Sequence, residues 1–155
     1  MPTGIRSNWL DQIDPELPYW ADFLPFLREL TGPEFPGCDR LNALLPDDLS
    51  SHGGQPVRFV PSTDLDDGAY EHRIHTTGQV STRPANWHDL FNAMVWMRFP
   101  RIKTVMNALH FSVSDGAPAP TRGMLRDAVT LFDECGVIVY AHSPEPLEHL
   151  SRRRW

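Results

Sequence analysis

Cysteine and lysine are scarce in this chain, and long apolar runs are missing. Cys38 and Cys135 are the only cysteines, far apart and without CxxC spacing. That excludes a disulfide framework or a zinc knuckle and fits structural thiols in a reducing compartment. No apolar stretch approaches the ~20 residues of a membrane span. The N-terminal MPTGIRSNWLDQIDPELPYW lacks the charged start and continuous apolar core of a signal peptide. The expected location is the cytoplasm, with no membrane partner. Positive charge is also short: 14 basic residues face 20 acidic ones, a formal charge of −6. Broad duplex-DNA binding needs a cationic face and is not expected. Nucleophile elbow, Walker loop, HExxH and dinucleotide fingerprint are absent, as are internal repeats.

What remains is ample for a fold. At 155 residues and 41% hydrophobic content, the chain fits a single domain over 1–155 with a real core. Residues 1–56 are rich in proline and turn formers. Within them WADFLPFLREL (20–30) predicts a helix that Pro25 kinks or restarts, and residues 38–45 a second short helix. VRFVP (57–61) predicts a strand, and STDLDDG (62–68) an acidic loop without calcium-loop spacing. YEHRIHTTGQVSTR (70–83) predicts a β-hairpin turning at Thr77-Gly78. Asn86 then caps a helix reaching about Arg98, Phe99-Pro100 interrupts it, and a second helix runs over about 101–109. Residues 114–123 predict a loop, and AVTLFDECGVIVYAH (128–142) a second hairpin about residues 134–136. SPEPLEHLSRRRW predicts a capped helix start. The expected class is α+β: an irregular helical N-terminal part, two hairpins, and a central helix pair packed on the sheet.

The candidate site lies in NWHDLFNAMVWMRFPRIKTVMNALH, residues 86–110, where polar side chains are set among large apolar ones. On the first helix Trp87, Leu90, Phe91 and Met94 make the apolar stripe, with His88 and Asn92 on its border. On the second, Ile102, Val105, Met106 and Leu109 are apolar at helical spacing, while Lys103, Asn107 and His110 form a polar stripe beside them. If the chain folds back at Phe99-Pro100, both polar borders face one cleft. His88 and His110 are then the candidate catalytic pair, since imidazole titrates near neutrality. Asn92, Lys103 and Asn107 are the candidate substrate-binding groups. The plainer alternative is packing trim, because buried polar groups need partners whether or not they work. The residues specify no cofactor and leave a metal open.

Other constellations are weaker. His75 on a hairpin followed by His88 or Asn92 on a helix imitates a ββα nuclease, with His72 and His75 as ordinary strand residues on the plain reading. Asp133 and Glu134 read as turn residues before Gly136, since neighbours on a strand face opposite sides. Arg122 and Arg126 would share a helix face, with a salt bridge to Asp127 as the plain outcome. The run 152–154 reads as a solvated helix end.

The segments Asn86 to His110, as NWHDLFNAxxWxxFPxxKxxxNxxH, and Arg126 to Gly136, as RDAxTLFDExG, resemble a bacterial domain-of-unknown-function family, number 3025. Tyr70 to Ile74 and Thr82-Arg83 also fit its pattern. The resemblance spans roughly residues 70–140. It implies a proteobacterial protein and carries no activity, cofactor or catalytic residue with it. It also implies a C-terminal continuation that this chain lacks. Three functions are therefore expected to compete. The first is a binding module for an unknown protein or small molecule, using Trp9, Tyr19, Trp20 and Phe23. The second is a small-molecule or phosphoester hydrolase using His88, Asn92, Lys103, Asn107 and His110. The third is the ββα-like nuclease.

Overall fold

The computed structural model describes residues 9–62, 67–115 and 119–154. Two single-turn 3-10 helices, Trp9–Gln12 and Pro18–Trp20, lead into α1 (Leu24–Glu29) and α2 (Cys38–Asn42). Pro25 sits in the first turn of α1, where its missing N–H breaks no helical bond. Strand β1 (Arg58–Pro61) follows, then α3 (Asp67–Thr77), β2 (Gln79–Thr82), α4 (Trp87–Arg98), α5 (Pro100–Asp115), α6 (Ala119–Cys135) and α7 (Pro144–Ser151).

The α+β class holds, but neither expected hairpin forms. Residues 67–77 are helix α3, and β2 pairs parallel to β1, with Phe59 opposite Val80. Parallel neighbours need a crossover rather than a tight turn, and α3 is that crossover. The glycine read as a hairpin turn is a helix stop: Gly78 has φ +72°, and its N–H bonds to Ile74 O at 2.9 Å. A Cβ at Gly78 would collide with the Pro56 carbonyl. The second expected hairpin fails in the same way. Residues 119–135 are helix α6, whose end is marked by Gly136 N–H bonding Phe132 O at 2.8 Å. The expected loop over 114–123 is helical at both ends, with 116–118 outside the described residues. Of the acidic loop, 63–66 also lie outside them, and Asp67 already belongs to α3.

The core gathers Trp9, Trp20, Leu27, Leu30 and Leu41 from the N-terminal part, Phe59 and Val80 from the strands, Ile74 from α3, and Leu90, Met94, Trp96 and Met97 from α4. The side chain of Asn42 seals one edge of β1. Its Nδ2 donates to Phe59 O at 2.9 Å, and its Oδ1 accepts from Phe59 N at 2.8 Å. The N-terminal aromatics expected on a binding surface mostly pack inward: Trp9 and Trp20 are buried, Phe23 packs against them, and Tyr19 alone of the four stays exposed. On α4, Leu90 and Met94 are buried as expected while Phe91 is exposed; Trp96, on the opposite side, is buried too.

Candidate functional site

The Asn86 cap forms as expected, its Oδ1 accepting from Asp89 N at 3.1 Å. At the other end Phe99, with φ −128° and ψ 52°, leaves helical space and closes α4. Its carbonyl accepts from Lys103 N at 3.1 Å, so α5 begins there with Pro100 in its first turn. The junction is a break between two helices, as the Phe99-Pro100 pair predicts.

The orientation of α5 is the unexpected feature. Its polar stripe faces inward: Lys103 and Asn107 are buried. Its apolar stripe is only half covered, and Val105 is 55% exposed. The inward polar groups are held by two other helices. Lys103 Nζ donates to both Asp133 oxygens, at 2.9 and 3.1 Å, and lies 5.9 Å from the Trp96 ring centre. Asn107 Nδ2 donates to Glu71 O at 2.8 Å and to Glu71 Oε2 at 2.7 Å. Asn107 Oδ1 is buried with no hydrogen-bond partner among the described residues. Lys103, Asn107 and His110 line one recess together with Tyr70, Glu71 and Asp133. Its volume, ≈ 10 Å³, is room for about one water.

Asn92 joins this cluster at one remove, donating from Nδ2 to Tyr70 Oη at 3.0 Å. Burial first, then the Glu71 charge, pushes the Tyr70 phenol far above its ordinary value despite that bond, so Tyr70 stays neutral. His88 is elsewhere. Its side chain is 82% exposed and its Nδ1 lies 3.0 Å from Asp89 Oδ1. Asp89 is the hub of that second cluster: Arg83 reaches it through Nε at 3.0 Å, Nη2 at 2.7 Å and its backbone N at 2.7 Å. Burial raises the Asp89 carboxyl, but these Arg83 bonds and His88 outweigh it and hold the value at about 2.

The structure thus brings Lys103, Asn107 and His110 together, attaches Asn92 through Tyr70, and leaves His88 outside the recess. Sequence reasoning missed Tyr70, Glu71 and Asp133. The signal was present as helical spacing, with Tyr70 and Ile74 four apart on α3, and Val129 and Asp133 four apart on α6. Reading 70–77 as a strand put Glu71 on the face opposite Tyr70 and Ile74, and reading Asp133 as a turn residue took it off any packed face. The nuclease outline loses its hairpin: His72 and His75 lie on α3, with His75 stacked on Phe111 at 3.7 Å. Among the described residues no group of three or more His, Cys, Asp or Glu is placed to hold a metal ion. The plain reading of Arg126 matches an exposed pair to Asp127 at 3.8 Å.

A much larger opening lies on the other side of α5. A groove of ≈ 480 Å³ runs between α5 and α6, lined mainly by Ile102, Val105, Leu109, Val129 and Phe132, with Arg101 among its residues. Its chemistry is almost wholly apolar. Beyond α6, Val137, Ile138, Val139 and Tyr140 are all exposed, and no residue of α7 is buried.

Among the described residues no helix is long and apolar enough to cross a membrane. No curated protein and no solved structure matches the chain. One family model does, over residues 57–155, a span that takes in α3 to α7, the polar recess and the apolar groove. The chain belongs to the family described as Protein of unknown function (DUF3025).

Proposed function

We propose that this chain is a protein-interaction module whose docking face is the groove between α5 and α6. One observation carries the reading: α5 turns its charged and amide groups to the interior and leaves Ile102, Val105 and Leu109 on an open groove of ≈ 480 Å³. A helix normally places those faces the other way round. Lys103 Nζ and Asn107 Nδ2 find their acceptors within the molecule, while the apolar stripe lacks cover. Exposed apolar surface of this kind marks contact sites. Three of the four aromatic residues first suspected, Trp9, Trp20 and Phe23, pack in or against the core, and the contact face lies on later helices. The test is Val105→Glu, read by the fluorescence of a hydrophobic dye at sub-micromolar chain concentration. The expected result is a severalfold loss of dye binding with unchanged helical circular dichroism, and no loss in His110→Ala. Equal dye binding by wild type and Val105→Glu overturns the reading.

A second reading is favoured by the unpartnered Asn107 Oδ1, which sits in a recess shared with His110, Lys103, Glu71 and Asp133. Such a recess suits a single activated water, with His110 as acid or base and Asn107 as its orienting group, in hydrolysis of a small ester or phosphoester. His88 has no part in that chemistry; it tethers Asp89. A screen of simple ester and phosphoester substrates tests this, with turnover abolished in His110→Ala and kept in His88→Ala. We further infer one folding unit over 1–155, because α5 packs on α3, α4 and α6. We infer a cytoplasmic location, because both cysteines are free thiols.

A further inference from the structure

The α5–α6 groove has a candidate occupant within the chain's own sequence. After Gly136 the chain forms an arm of two parts. Residues 137–140 are apolar, belong to no helix or strand, and show no backbone hydrogen bonds among the described residues; Val137 is 78% and Tyr140 85% exposed. Then α7 presents Leu147 and Leu150, three apart on one face, both exposed. An exposed run of β-branched and aromatic side chains and an uncovered amphipathic helix are each unfavourable in water. The arm does not fill the groove of its own chain: residues 137–140 are all exposed, and the groove stays open. Gly136 packs so closely on the end of α6 that a Cβ there would collide with Phe132, a groove residue.

We propose that a second copy of this chain occupies the groove, the arm of each copy seating in the α5–α6 groove of the other about a two-fold axis. This rests on the groove being the docking face. Both halves of the contact, apolar arm and apolar groove, lie on one chain, so exchange between two copies covers both and closes the assembly. Exposed apolar side chains gather on these two parts: Val105 and Phe132 in the groove, and Val137, Ile138, Val139 and Tyr140 on the arm.

Sedimentation equilibrium of the full chain over the micromolar range tests it. The expected result is a species of twice the monomer mass. Val137→Asp, on the arm, and Val105→Glu, in the groove, each yield monomer, with at least a tenfold rise in the dissociation constant. Both positions are exposed, so the fold survives. Mixing the two variants restores dimer, since the intact arm of one fits the intact groove of the other while neither variant alone retains such a contact. A dimer that survives both substitutions uses another face and overturns the exchange. A monomer at every concentration that binds hydrophobic dye also overturns it, yet leaves the groove standing as a docking face for some other protein. A monomer that binds no dye overturns both.

Discussion

Breaking the Lys103–Asp133 pair from either side should give unequal costs, and the inequality follows from where each charge sits. The Lys103 side chain is 9% exposed and that of Asp133 is 40% exposed. Asp133→Ala leaves an ammonium enclosed by Trp96, Ile74 and Met106. Removing one partner of a buried pair costs about 3–5 kcal/mol. Glu71 lines the same recess and offsets part of that, so about 3 kcal/mol is expected. Lys103→Met keeps the side-chain volume and leaves a carboxylate that water reaches, so its cost is that of an exposed pair, about 0–1 kcal/mol. The double variant should be more stable than Asp133→Ala alone, because no enclosed charge is left. For a chain of this size, 3 kcal/mol lowers the melting midpoint by about 6–12 °C. Urea unfolding followed by helical circular dichroism, at one fixed chain concentration, measures all three. The reasoning is refuted if Lys103→Met costs as much as Asp133→Ala, or if the double variant is no better than Asp133→Ala.

Acid sensitivity should trace to Asp89. Its folded value of about 2 lies below the unfolded carboxyl value of about 3.9, so its stabilisation is full above pH 4 and is lost as pH falls towards 2. About 2 kcal/mol is at stake, and Asp89→Asn should flatten that part of the stability–pH curve; an unchanged slope would show that other carboxyls set it. Gly78→Ala should cost at least about 1–2 kcal/mol in urea unfolding, from the left-handed φ and the Pro56 carbonyl. Tyr70→Phe should cost about 1 kcal/mol by leaving Asn92 Nδ2 without its acceptor, while Phe at a solvated tyrosine such as Tyr19 costs nothing measurable. Thiol titration should label Cys135 at once and Cys38 slowly, because Cys135 is exposed and burial, followed by the Asp39 charge, raises the Cys38 thiol.

The local chemistry of Asn86, Pro25 and Pro100 was legible because each acts within one turn of itself. A side-chain oxygen bonds an amide three residues on, and a ring fixes its own φ. Two glycines were misread for an equally local reason. Gly78 and Gly136 each follow polar residues and precede a short segment with β-branched residues, a pattern shared by hairpin turns and helix stops. The choice was made by packing: Tyr70, Glu71 and Ile74 meet α5 on one helical face, and Asp133 meets Lys103 from α6. Strand alternation would have parted these groups.

By itself the amino-acid order determined the α+β class, the break at residue 99, and the polar row Lys103, Asn107, His110 beside an apolar row on one helix. Which row faces inward was decided only in three dimensions. Glu71 lies 36 residues from Asn107, and Asp133 lies 30 from Lys103. Periodicity within α5 holds no record of such distant acceptors. Once carboxylates from α3 and α6 stand behind α5, burying its amide and ammonium becomes favourable, and the aliphatic row is left on the open side.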